Sequence, residues 1–281
     1  MDKAIIDQFI ANALKEDVGD GDHTSLATIP AGVQGKAKLL VKDTGVLAGV
    51  ELGLEIFKAV DPELKVTVFL QDGAEVKPKD IVLEVEGDVH SILKAERLVL
   101  NCMQRMSGIA TNTNEIVDLL KGTHTKVLDT RKTTPGMRYL EKWAVRIGGG
   151  VNHRFGLYDM ILIKDNHVDY SGGIRRAIEN THEYVKTLNK KLAIEIEVRN
   201  FDELEQVLQT GGVDRILLDN FNFADLKTAV NMVEGRYITE ASGGITVENA
   251  REYANCGVDY ISIGALTHSV KCLDLSLKAV K

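Results

Sequence analysis

Proline and cysteine are scarce: the 281 residues hold four of the first and three of the second. So few prolines, with no low-complexity tract, argue against long disordered segments. Cys102, Cys256 and Cys272 are far apart and odd in number, and no C-x-x-C pair occurs. That pattern argues against zinc ribbons and redox dithiols. Each cysteine is expected as a small core residue in a reducing compartment, the cytoplasm. No apolar run approaches the ~20 residues that a membrane span needs. The start, MDKAIIDQFIANALKEDVGDGD, has no basic segment followed by an apolar stretch, so no signal peptide is expected. Its Ile6, Phe9, Ile10 and Leu14 fall at helical spacing instead. A basic excess is also lacking, with 34 Lys+Arg against 41 Asp+Glu and a net charge of -7. A nucleic-acid binder would normally show the opposite balance. What remains is a globular composition, 44% hydrophobic and 27% charged, with no membrane or nucleic-acid partner expected.

Two parts of the chain read differently. Residues 35 to 90 carry short strand-like runs, GKAKLLVKDTGVLAG, LKVTVFLQDGAEV and IVLEVEGD, with turns at Asp43-Thr-Gly and Asp72-Gly. VELGLEIFKAV (50–60) reads as a helix between them. HSILKAERLVLNCMQRMSGIATNTNEIVDLLKG then gives a long helical pattern, with Leu98, Cys102, Met106 and Ile109 as its apolar stripe. From about residue 125, apolar strands alternate with helices. The strands are TKVLDT (125–130), MILIK (160–164), AIEIEV (193–198), RILLDN (215–220), YITEAS (237–242) and YISIGA (260–265). Helices are expected over 173–188, 202–209, 223–233 and 247–255. Nearly all-apolar strands separated by helices predict a parallel sheet covered on both faces. Charged groups end strand after strand, which favours a (β/α) barrel mouth over the single switch point of an open sheet. Six strands rather than eight make that barrel irregular or incomplete. The expected fold is α/β, with an N-terminal α/β sandwich domain over 1–110 and a barrel domain over 111–269. The tail 270–281 is free to pack back on the first domain.

Within this acidic chain, Asp129 to His167 holds seven fixed cations, Arg131, Lys132, Arg138, Lys142, Arg146, Arg154 and Lys164, against four acids. Clustered Arg and Lys are the usual means of holding carboxylates and phosphates. EASGGIT (240–246) and SIGAL (262–266) end the last two strands, where barrel phosphate sites commonly form, though tight βα turns also favour glycine. Lys164 ends an apolar strand, as an anion ligand or a Schiff-base nucleophile; its charged neighbours favour the first. Asp165 and His167 can be loop caps. Glu195 and Glu197 share a face of AIEIEV by alternation. Glu197 and Asp219 can hold Mg2+ or ribose hydroxyls, offset positive charge on a sugar ring, or form interior ion pairs. Glu195 lies deeper and reads as structural. His153 and Arg154 follow three glycines. Arg105 sits on a helix with Asn101 and Gly108, and spacing alone gives it no role. No metal-ligand spacing, G-x-S-x-G elbow or phosphate-binding P-loop is present.

In their order and spacing, ALKEDVGDGDHTS, NCMQRMSGIAT, DTRKTTPGMRYLEKWAV, GGGVNHRFGLYDMILIKDNH, IEIEV, LLDN, EASGGIT and ISIGALTHS span essentially the whole chain. Together they make it resemble the quinolinate phosphoribosyltransferases. The resemblance implies the sandwich and irregular barrel inferred above. It implies transfer of phosphoribosyl from 5-phosphoribosyl 1-diphosphate to quinolinate, with Mg2+, giving nicotinate mononucleotide, pyrophosphate and CO2. It implies a dicarboxylate pocket of Arg105, Arg131, Lys132, His153, Arg154 and Lys164, with Thr130 beside them. Arg105 is implied to act in the neighbouring subunit's site, so a homodimer or higher is the expected unit. Glu197 and Asp219 match carboxylates near the ribose and metal, and with Lys164 form the implied catalytic set. Ser242, Gly243, Gly244, Ile263, Gly264 and Ala265 match phosphate-binding loops. Arg199 departs from a polar or acidic residue usual in such chains, and Trp143 stands where another aromatic, often Tyr, is common. Three other readings compete: a Schiff-base aldolase using Lys164, a nicotinate-specific relative that would need fewer cations, and a lipoyl-like module in LQDGAEVKPKDIVLEVEGD, which lacks the modified lysine at a hairpin tip.

Overall fold

The computed structural model describes residues 2–280. In chain order the chain begins with α1 (Lys3–Val18), α2 (His23–Thr28), β1 (Gln34–Val41), β2 (Gly45–Val46) and α3 (Val50–Val60). It continues through β3 (Lys65–Val68), β4 (Glu75–Val76), β5 (Ile81–Asp88), α4 (Val89–Leu119), β6 (Lys126–Leu128) and α5 (Arg138–Ile147). Then come β7 (Ile161–Ile163), α6 (Asp165–Ser171), α7 (Ile174–Thr187), β8 (Ile194–Val198), α8 (Phe201–Thr210) and β9 (Arg215–Asp219). The last are α9 (Phe223–Val233), β10 (Ile238–Ser242), α10 (Ala250–Asn255), β11 (Tyr260–Ser262), α11 (Ala265–His268) and β12 (Leu275–Ala279). The chain forms two compact units. The first takes the segment up to Asn114, Thr134–Gly149 and the chain from Ser269; the second takes Glu115–Thr133 and Gly150–His268. No helix among the described residues is long and apolar enough to cross a membrane.

The first unit is built on an antiparallel sheet in the order β12-β1-β5-β3. Alternation along β1 buries Ala37, Leu39 and Val41. On the other face Lys36 and Lys38 reach Glu84 of β5 at 2.9 and 3.5 Å. Leu39 lies opposite both Leu83 and Leu277, so the C-terminal strand β12 completes this sheet. Its core joins Ile56 and Phe57 of α3 with Val99, Met103 and Met106 of α4. The turn residue Asp72 has a second function: it accepts the Val50 N–H at 2.8 Å and so caps α3, whose own N-cap is Gly49.

Thr134–Gly149 belongs to this first unit by its packing, which interrupts the expected continuous barrel segment 111–269. The reason is the helix α5. Leu140, Trp143 and Ala144 recur at helical spacing and are buried in the first unit's core. Trp143 also meets Tyr139 edge-on at 6.5 Å.

The second unit holds all six expected strands in one parallel sheet, ordered β6-β11-β10-β9-β8-β7. The end strands β6 and β7 share no ladder among the described residues, so the barrel is incomplete. A single parallel bridge from Leu128 to Val151 extends the β6 edge. Pleating sorts the side chains. Ile163, Ile194, Ile196, Val198, Ile216, Leu218, Ala241 and Ile261 enter the core shared with Leu204, Leu226, Ala229 and Ala250 of the covering helices. The alternate positions, among them Leu162, Glu197, Leu217, Glu240 and Ser262, face the cavity described next.

Candidate active site

A cavity of about 800 Å³ opens at the carboxyl ends of the second unit's strands. Thr130, Arg131 and Lys132 follow β6, and Lys164 and Asp165 follow β7. Glu197 comes from β8, Asp219 and Asn220 from the end of β9, and Ser242 to Thr246 from the end of β10. Ser262 to Ala265 and His268 come from the end of β11. His153 and Arg154 complete the lining.

The loop after β6 is tied down by its own chemistry. Buried Asp129 accepts from Asn152 Nδ2 at 2.6 Å and from the His153 N–H at 2.8 Å, which fixes the His153-Arg154 pair. The Lys132 N–H donates to Thr130 Oγ1 at 3.1 Å, and the Lys132 carbonyl accepts from Thr267 Oγ1 at 2.8 Å. Two arginines meet here. Burial and then the charge of Arg131 hold Arg154 below the usual guanidinium range. Arg131 Nε is buried with no hydrogen-bond partner among the described residues. An anion between the two guanidiniums would relieve both the repulsion and the orphaned donor.

On the opposite arc lie the acids. Lys164 Nζ is 3.5 Å from Glu197 Oε2. Burial pushes the Glu197 carboxyl up; Lys164 opposes this, while the charges of Asp219 and Asp165 add to it. Two carboxylates lining one cavity form a fitting donor set for a hard divalent cation. Asp219 Oδ2 also accepts from Asn220 Nδ2 at 2.6 Å. His167 is a helix cap, its Nδ1 accepting the Lys164 N–H at 3.0 Å at the start of α6.

The glycine loops approach closely. Gly243 has φ +103, and a Cβ there would fall on Asn220 Oδ1. The Asn220 N–H bonds the Ser242 carbonyl at 2.8 Å, locking the loop after β9 to the loop after β10. A Cβ at Gly264 would lie 2.9 Å from Lys132 Cδ.

Fourteen of the expected site residues thus line one cavity, and one does not: Arg105 of α4 is absent from the lining. In the first unit its Nη2 lies 2.6 Å from Glu141 Oε1, and Nη2 donates to Thr134 Oγ1 at 2.8 Å. Of the seven cations between Asp129 and His167, Arg131, Lys132, Arg154 and Lys164 line the cavity, whereas Arg138, Lys142 and Arg146 ride on α5. The run is therefore two structures in one: a cationic rim and a helix of the other unit. Arg199 is spent on Glu203 and Asp169, 3.1 Å from the latter. Asn220, Thr246 and His268 line the cavity without having been picked out. The positive φ of Asn220 is a fold property that the residue type only hints at. His268 lay inside the quoted ISIGALTHS motif.

Fold and site together define an incomplete α/β-barrel enzyme with an anion-holding mouth. Two family models cover nearly the whole chain: the quinolinate phosphoribosyl transferase C-terminal domain matches residues 109–278 and the N-terminal domain residues 22–107. The chain belongs to the quinolinate phosphoribosyltransferase family. It is 46% identical to the chloroplastic nicotinate-nucleotide pyrophosphorylase [carboxylating] of Arabidopsis thaliana, over 95% of this chain and 80% of that protein. It is 41% identical to a probable nicotinate-nucleotide pyrophosphorylase [carboxylating] of Bacillus subtilis, over 93% and 89%. The solved nicotinate-nucleotide pyrophosphorylase of Francisella tularensis superposes with a TM-score of 0.92 at 37% identity, covering 100% of this chain and 98% of that one.

Proposed function

We propose that this chain transfers phosphoribosyl from 5-phosphoribosyl 1-diphosphate to quinolinate with decarboxylation, a step that supplies nicotinate mononucleotide for NAD synthesis. The observation that carries the reading is the Arg131–Arg154 pair, two mutually repelling guanidiniums with an orphaned donor in one cavity. Lys132, His153 and Lys164 line the same cavity. Planar carboxylates suit such guanidiniums because both can be held by paired, charge-assisted hydrogen bonds. The Ser242–Gly244 backbone and Gly264 hold the donor's phosphate, as glycine N–H groups at late barrel loops do.

Glu197 and Asp219 stand where the ribose binds and offset the positive charge that grows on the sugar as pyrophosphate leaves. The same carboxylates would hold Mg2+, which supplies charge neutralisation for the departing pyrophosphate. Lys164 stays non-covalent, an anion ligand steered by Glu197. Once the pyridine nitrogen has attacked C1 of the sugar, the ring nitrogen is positive. The adjacent carboxylate then leaves as CO2, its bonding electrons remain on the ring carbon, and a proton from water closes the step. No protein nucleophile is needed, so the protein's contribution is positioning. The family resemblance, which gives Arg105 to the neighbouring subunit's site, supports a homodimer or higher. Three free cysteines support a reducing cytoplasmic location.

Product formation from the sugar donor and Mg2+ with quinolinate, against nicotinate in its place, tests the reading. Nucleotide is expected only with quinolinate. Equal turnover of nicotinate would select the monocarboxylate reading, and a borohydride-trapped imine at Lys164 the aldolase.

A further inference from the structure

The acids packed around His153 in the second unit have no part in the chemistry above. Glu195 precedes Glu197 by two residues on β8, on the same face but a pleat further from the cavity, and is wholly buried. His153 Nε2 lies 3.0 Å from Glu195 Oε2 and 3.5 Å from Glu240 Oε2. Glu240 in turn accepts from Arg215 Nη1 at 2.9 Å, and that guanidinium lies 4.7 Å over the Tyr260 ring. On the far side of the imidazole, Nδ1 accepts the backbone N–H of Arg154 at 2.7 Å. A nitrogen that accepts carries no proton, so the imidazole proton sits on Nε2, the nitrogen 3.0 Å from Glu195 Oε2.

His153, Glu195 and Glu240 also offer three metal-ligand atoms within 4.8 Å of one another, a grouping that the sequence spacing gave no sign of. Arg215 already occupies the Glu240 carboxylate, so a cation there would face a guanidinium. Buried carboxylates are costly when nothing is held by them; both Glu195 oxygens lack a hydrogen-bond partner among the described residues, and His153 Nε2 is the donor standing 3.0 Å from one of them. We infer that Glu195 is a positioning residue for the dicarboxylate pocket, acting through His153 to fix the Arg154 main chain and so to aim the Arg154 guanidinium. The inference rests on the functional reading of the pocket above. It separates the two carboxylates of β8: Glu197 serves the sugar, and Glu195 the pyridine acid it never touches.

Kinetics of Glu195→Ala and Glu195→Gln, varying each substrate in turn, test it. Gln keeps an oxygen beside His153 Nε2; Ala does not. The Ala variant should raise the quinolinate KM by roughly tenfold or more while the donor KM and kcat move little, as outer supports of a ligand do. Gln should restore most of that loss. In nitrogen-15 spectra, His153 of the parent should carry its proton on Nε2, and the Ala variant should lose this single tautomer. An unchanged quinolinate KM, equal rises in both KM values, or a proton found on Nδ1 would overturn the inference. So would a stoichiometric metal in the purified protein that Glu195→Gln abolishes. Should the Ala variant fail to fold, the tautomer of the parent and the Gln kinetics decide. A parent that forms no product from quinolinate would sink the functional reading instead and leave the tautomer result standing.

Discussion

Replacing Gly243 by Ala should separate the two halves of the site, because the damage is confined to the sugar-phosphate side. The backbone at Gly243 has φ +103, which an L side chain rarely adopts. Holding Ala there costs ~1–3 kcal/mol of strain. The added Cβ would also fall on Asn220 Oδ1, with Asn220 Cγ at 2.6 Å and the Asn220 backbone N at 3.1 Å. The Asn220 side chain can swing away only by giving up its 2.6 Å bond to Asp219. A hydrogen bond to a charged group is worth ~1.5–3 kcal/mol. Together these effects place the cost at roughly 3–5 kcal/mol, felt by the loop and by Asp219 alike. The assay is steady-state kinetics with the sugar donor and quinolinate varied separately. The donor KM should rise by roughly ten- to sixtyfold if half of that cost reaches binding, with the quinolinate KM little changed. Gly243→Ala combined with Asn220→Gly should cost less than the two single changes added together, since the clash is removed. A donor KM unchanged in Gly243→Ala, or a quinolinate KM that rises as much, would refute the division of the pocket.

Arg131→Ala should weaken quinolinate binding by roughly 2–5 kcal/mol, checked by titration calorimetry, because it strips one of two guanidiniums from a desolvated anion site. Glu240→Gln should change the pH dependence of stability. Burial, and then the charge of Glu195, push Glu240 up to about 7 from 4.5. The folded state therefore binds a proton that the unfolded chain has released, and stability falls as pH rises from about 4.5 to about 7. Gln cannot ionise, so the variant should gain up to ~3 kcal/mol over the parent above pH 7 and lose that advantage below pH 4.5, as denaturant melts would show. Asp72→Ala should lower stability by ~0.5–2 kcal/mol without affecting either KM, since only the cap of α3 is lost.

The barrel strands were legible because their Ile- and Val-rich runs alternate with amphipathic helices, and local periodicity survives folding. The site at their carboxyl ends was legible for the same reason: pleating fixes which residue of each strand faces inward, so Glu197 and Asp219 follow from register alone. Helix α5 was counted in the basic run because its arginines and lysines dominated the composition of that stretch, although none of them was named for the pocket. Its apolar stripe of Leu140, Trp143 and Ala144 was the signal that outweighed them. Strand β12 was expected only as a tail free to pack back on the first domain, because its partner β1 lies at the other end of the sequence. The Glu195–His153–Arg154 chain could not be read in advance. Alternation placed Glu195 correctly inside the barrel, but only tertiary structure brings the histidine loop to it.

The central claim is that paired guanidiniums hold a pyridine dicarboxylate beside an activated sugar, so that one carboxylate is lost after the nitrogen is ribosylated. Its most direct measurement is the ratio of CO2 to pyrophosphate released from carboxyl-labelled quinolinate in the presence of the sugar donor and Mg2+. One CO2 per pyrophosphate is the expected result, with none released when the donor is omitted. Pyrophosphate without CO2, or CO2 without the donor, would contradict the account.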